Sequence, residues 1–80
     1  MVRIIAKNVA KLLAQRFKGY IHVSVVNVDT LVIDIRNGRF QFHTCIDSVY
    51  ILMYNGKSSN DIADIVSAEY RFHINELFFK

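Results

Sequence analysis

Apolar side chains recur along this chain with two periods, and each period predicts a different kind of element. At 100° per residue, Val2, Ile5, Ala6, Val9, Leu12, Leu13 and Phe17 fall on one broad face, which predicts an amphipathic helix over residues 1–18. Gly19 is placed to end it. The pattern then changes to strict alternation in three runs. Ile21, Val23 and Val25 share one side of residues 20–27; Leu31, Ile33 and Ile35 share one side of 31–36; Phe40, Phe42 and Thr44 share one side of 39–46. These predict three strands, each with one face toward a core.

The connections predict how the strands pair. Asn37-Gly38 is a hairpin signal, because a type I′ turn needs two residues at positive φ. It would set Arg36 opposite Arg39, Ile35 opposite Phe40 and Ile33 opposite Phe42. For the first hairpin, a two-residue Asp29-Thr30 loop would put Val25 opposite Asp34, on the wrong face. A three-residue loop, Val28-Asp29-Thr30, pairs Val25 with Ile33 and Val23 with Ile35 and keeps one side apolar. The outward rows expected from this register are His22, Arg36 and Arg39; then Ser24, Asp34 and Gln41; then Val26, Val32 and His43.

Residues 47–54 fit either a short helix or a fourth strand. Asp47 and Ser48 as N-caps and Asn55-Gly56 as a C-cap favour the helix. Ser58 and Ser59 then cap a long final helix, with Asp61 and Asp64 well placed in its first turn. That helix carries two apolar stripes. Ile62, Val66, Tyr70, Ile74 and Leu77 form one, and Ile65, Ala68, Phe72 and Phe79 form the other, with Glu69 and Glu76 between. One stripe covers the sheet. The second is surplus, and is the expected interface of a homodimer.

The fold expected is a single α+β domain over residues 1–80: an N-terminal helix, a three-stranded antiparallel meander, a short helix and a long C-terminal helix, all packed on one sheet face. Eighty residues lie near the lower size for a self-sufficient core, and a 52% hydrophobic content with ten Phe and Tyr compensates. No apolar run reaches the 18 or so residues that span a bilayer. The amphipathic, acid-poor start has the character of an organelle presequence, but it lacks a following small-residue cleavage site and reads as part of the fold. The single Cys45 forms no internal disulfide, so a reduced, cytoplasmic setting is expected.

Charge changes the picture most. Residues 1–18 carry Arg3, Lys7, Lys11, Arg16 and Lys18 and no acid, whereas the other 62 residues carry a net charge of −2. On the helical wheel Lys7, Lys11 and Lys18 form a stripe opposite the apolar face, flanked by Arg3. Solvated helices ordinarily interleave charge signs for i,i+4 support, so an acid-free helix points to an anionic partner. His22, Arg36 and Arg39 on the sheet offer a second candidate, since arginine forks suit phosphates and carboxylates.

Other chemistry is sparse. His43 and Cys45 stand two apart on one strand face, but a zinc site needs further ligands in a local pattern, which His22 and His73 do not supply. Nothing places a base beside Cys45 for nucleophilic catalysis. Gly56-Lys57-Ser58 imitates the end of a phosphate-binding loop, but position 51 is isoleucine where that motif needs glycine. Neither an enzyme, a cofactor nor a metal is expected.

The element order, and the stretch 31–38 with its Asn37-Gly38 pair, resembles small phage accessory proteins. It is similar to the α-β-β-β-α-α plan of the compact anti-CRISPR inhibitors, which block an RNA-guided nuclease by occupying its DNA-recognition cleft. Those inhibitors are acidic and imitate DNA, whereas this chain is basic. The resemblance therefore implies an interaction protein acting in a host cell on an acidic protein surface, on a guide RNA within a ribonucleoprotein complex, or by dimerising its target. The order also resembles the double-stranded-RNA-binding fold, which implies nucleic-acid binding as the alternative. That family uses lysines where its last helix opens, and here the position reads Ser58-Ser59-Asn60-Asp61-Ile62 with only Lys57 in reach.

Overall fold

The structure, a computed structural model, describes residues 1–78. Its elements are α1 (Val2–Arg16), β1 (Tyr20–Val26), β2 (Thr30–Asn37), β3 (Phe40–Ile46), α2 (Val49–Tyr54) and α3 (Ser59–Phe78). The expected α+β architecture is present: an antiparallel meander, ordered β1-β2-β3, covered on one face by helices. The short segment before α3 is a helix rather than a fourth strand. Helix α1 lies against β1 and beside α3, and α3 reaches β3.

Central strand β2 organises the core. Leu31 sits between Val25 and Ile46, Ile33 between Val23 and Thr44, and Ile35 between Ile21 and Phe42. All three aliphatic side chains are buried. From above, Val2, Ile5, Ala6, Val9 and Leu13 of α1 and Ile62, Ala63, Val66 and Tyr70 of α3 complete the core, with Val49 closing one end.

Both hairpins differ from the expected register by two residues. The first loop is Asn27-Val28-Asp29, so Val23 faces Ile33 and Val25 faces Leu31. The second turn is Gly38-Arg39, flanked by the Asn37–Phe40 pair. Gly38 has φ +63° while Asn37 and Arg39 keep ordinary φ, the pattern of a type II′ turn rather than type I′. The physical reason is apolar pairing. In the expected register Leu31 would face Asn27 and Thr44, whereas the observed one sets it between two aliphatic residues. An even slip leaves every side chain on its own face, so the inward set is unchanged. The outward rows do change. They now run Tyr20–Arg36–Gln41, His22–Asp34–His43 and Ser24–Val32–Cys45.

Helix ends also differ from expectation. Helix α1 stops at Arg16, and Phe17 is already extended, so Lys18 lies beyond the helix. Gly19 then passes so close to β2 that a Cβ there would stand 2.2 Å from the Arg36 carbonyl oxygen, and its φ is +117°. Neither Asp47 nor Ser48 caps α2 through its side chain. Ser48 is left-handed, and Asp47 accepts the Thr30 hydroxyl at 3.2 Å. Asp29 from the first hairpin caps α2 instead: its carbonyl accepts Val49 N–H at 3.0 Å and its carboxylate accepts Tyr50 N–H at 2.7 Å. Capping across 20 residues has no local sequence signature.

At α3 the local reading holds for Ser58 and Asp61, whereas Ser59 is already helical and Asp64 lies beyond the first turn. Ser58 N–H donates to the Asp61 carboxylate at 2.7 Å, and Asp61 N–H donates to the Ser58 hydroxyl at 3.4 Å, a reciprocal capping box. The Ser58 backbone bond, its hydroxyl and then Lys57 hold the Asp61 carboxyl below its ordinary value. Of the first stripe, Ile62, Val66 and Tyr70 are buried and Ile74 packs at the margin, whereas Leu77 is exposed.

Two outcomes follow. Gly19→Ala adds both left-handed strain, about 1–3 kcal/mol, and a clash with fixed backbone; thermal denaturation should show a melting temperature lower by about 8 °C or more. Because the folded pKa of Asp61 is depressed, its contribution is present above the ordinary carboxylate range and is lost as pH falls through and below it. Asp61→Asn should therefore lower the melting temperature near neutral pH, and the gap from the parent should close in melts recorded progressively below about pH 4.

Candidate functional site: the cationic face of α1

Arg3, Lys7 and Lys11 repeat every four residues, so one turn of α1 separates each from the next. All three are exposed, opposite the buried set of Val2, Ile5, Ala6, Val9 and Leu13. The apolar face is committed to the sheet and α3, which leaves the cations no inward partner. Among the described residues the ion pairs are Arg16–Asp64 at 2.8 Å and Arg36–Asp34 at 3.4 Å, so none of the three has an intramolecular carboxylate.

The other basic residues of the N-terminal segment do different work. Arg16 Nη1 donates to Asp64 at 2.8 Å and to the hydroxyl of buried Ser67 at 3.1 Å, tying the end of α1 to the middle of α3. Lys18, expected in the same stripe, sits in the connection after the helix. It is exposed but is not part of the α1 ladder.

The sheet candidate is not assembled as expected. His22 is opposite Asp34 and stacks with Tyr20 at 6.3 Å between ring centroids. Arg36 faces Gln41 and pairs with Asp34, which also accepts a Gln41 amide bond at 3.4 Å. Arg39 stands apart at the turn tip. The two-residue slip separates these groups, and the Arg36 fork is partly answered within the sheet. His43 and Cys45 share the outer face, and no group of three or more His, Cys, Asp or Glu side chains among the described residues could hold a metal ion. Gly56-Lys57-Ser58 is a helix stop followed by a helix cap: Gly56 N–H and Lys57 N–H close α2 on Met53 and Leu52 carbonyls.

The second stripe of α3 is uncovered. Phe72 is 66% exposed and Ile65 40%, and Ala68 is exposed beside them; Phe79 lies outside the described residues. Phe42, Ala68, Glu69, Phe72, His73 and Glu76 line an open groove of about 490 Å³ along it. A second groove, of about 300 Å³, lies beside the first turn of α1 and is lined by Met1, Val2, Arg3, Val25, Val28 and Tyr50. Sequence reasoning missed this one, and its only sequence signal is a valine within a hairpin loop.

Fold and surface together define a two-layer α+β module that exposes a three-cation helix face and two apolar grooves. Comparison with protein-family models, curated proteins and solved structures finds no match to this chain. No helix among the described residues is long and apolar enough to cross a membrane.

The division among the basic residues has a measurable consequence. Replacing Arg3, Lys7 and Lys11 together by glutamate should leave the melting temperature nearly unchanged, because no ion pair among the described residues is lost and an acid at position 3 suits the helix start. Arg16→Ala should cost about 1–3 kcal/mol in chemical denaturation, since the Ser67 hydroxyl is left buried without its partner.

Proposed function

We propose that this chain is a small non-catalytic interaction module that engages an acidic surface of a macromolecular partner through Arg3, Lys7 and Lys11. The observation that supports it is the one-turn ladder of exposed cations that pairs with no carboxylate among the described residues. Three ammonium and guanidinium groups at that spacing form a line about 12 Å long by helix rise. Such a line steers an anionic partner and fixes its register. Combined with the element order, this reading makes the module an inhibitor of the phage or mobile-element kind, acting on a host nuclease complex.

A protein surface is favoured over a duplex. Where a double-stranded-RNA-binding module opens its last helix with lysines, this chain spends Ser58 and Asp61 on each other in a capping box. Arg36, on the central strand near its turn end, is paired with Asp34.

The test is affinity capture from a bacterial lysate, with and without nuclease, using the parent and the Arg3→Glu, Lys7→Glu, Lys11→Glu variant. A nuclease-resistant protein retained by the parent and lost by the variant is the expected result. Nuclease-sensitive capture would transfer the reading to nucleic acid. In that case log affinity against log salt should slope at about −2.7 for three duplex phosphates neutralised.

A further inference from the structure

The groove beside the first turn of α1 is walled by apolar side chains open to solvent: Val28 is 77% exposed, Met1 74% and Tyr50 51%. A lone exposed aliphatic group is ordinary, whereas several converging on one concavity mark a binding surface. Arg3 belongs both to this groove and to the cation ladder, so apolar and ionic recognition meet at one residue.

The backbone supplies an independent observation. Val28 has φ +58°, and Asn27 before it has φ +54°. A β-branched residue is sterically disfavoured there, where glycine or asparagine would sit at less cost. Asp29 N–H donates to the Asn27 carbonyl at 2.7 Å, closing a tight turn about Val28. Asp29 also caps α2 through both its carbonyl and its carboxylate. One residue thus pins the Val28 loop to the helix that carries Tyr50, and both walls of the groove are fixed before any partner arrives. The Val28 side chain gains almost no burial within the chain in return for its strain.

We infer that this groove is the apolar half of the partner-binding surface and that it takes an acidic amphipathic protein segment. An aliphatic or aromatic side chain of the segment enters between Val28 and Tyr50, one carboxylate meets Arg3, and further carboxylates follow Lys7 and Lys11. The inference rests on the reading of α1 as the binding face. Charge complementarity selects the occupant, because the groove lining includes the Arg3 guanidinium and no carboxylate, and Lys7 and Lys11 follow Arg3 along α1. Its size suits one or two side chains. A bilayer plane does not reach into such a concavity, and a sugar–phosphate backbone would leave its aliphatic walls wet.

The test is titration of the full chain with a fluorescent synthetic peptide alternating leucine and glutamate, read by anisotropy. Controls are its lysine-for-glutamate and serine-for-leucine counterparts, a single-stranded oligonucleotide and phosphatidylglycerol vesicles. The leucine–glutamate peptide should saturate, with both counterpart peptides weaker by about tenfold or more. Val28→Gly should weaken it about fivefold without lowering the melting temperature, and Tyr50→Ala should weaken it similarly. Undiminished binding by Val28→Gly and Tyr50→Ala, equal binding of the serine peptide, preference for oligonucleotide or vesicles, or no saturable peptide binding would each overturn the inference. If Lys7→Glu with Lys11→Glu abolishes binding while the groove variants do not, the groove alone is wrong. If binding survives those charge reversals, the reading of α1 fails instead.

Discussion

Burial of Leu31, Ile33 and Ile35 in the middle of the sheet is the interaction on which the remaining arrangement depends. Each is flanked on both sides by a neighbouring strand and covered by helices, leaving 0–1% of its surface exposed. Burial of such a side chain is worth about 1.5–3 kcal/mol. In a chain of this size three of them are a large share of the available stability. Covering a single sheet face requires both α1 and α3, so α1 must turn its entire apolar side inward. Its cations are consequently displayed by the same packing that builds the core.

Position along α1 then decides what each cation does. Arg16 is at the end nearest α3 and finds Asp64 and Ser67. Next to it, Phe17 meets Tyr70 edge-on at 4.7 Å, Tyr70 meets Phe42 at 5.5 Å, and Arg71 lies over the Phe17 ring at 5.6 Å. This aromatic run joins the α1 exit to α3 and β3. Lys7 and Lys11 occur earlier, on the outward side, where α3 does not reach. Residues of one chemical type are therefore divided between holding the fold and facing solvent by a few turns of helix.

The opposite end of α1 is organised by Asp29. Through three hydrogen bonds it closes the first hairpin loop and starts α2, so the loop and the short helix behave as one unit. That unit presents Val28 and Tyr50 beside Arg3. The positive-φ turn at Val28 and the start of α2 are thus held by hydrogen bonds to the same residue.

Local periodicity and end signals left residues 49–54 open between helix and strand, but determined the order of the other elements, the inward face of each strand and of the two long helices, the Ser58 start of α3 and the cationic character of α1. Those properties depend on neighbours within one turn or one pleat, and nearby residues in the chain supply them. Tertiary structure alone decided the register of both hairpins, since a period of two cannot distinguish a correct pairing from one shifted by two. It also decided that Asp29 rather than Asp47 or Ser48 caps α2, that Arg16 is structural while Arg3, Lys7 and Lys11 are not, and that His22, Arg36 and Arg39 stand apart. Each of these depends on groups distant in sequence that meet only when the helices close over β2.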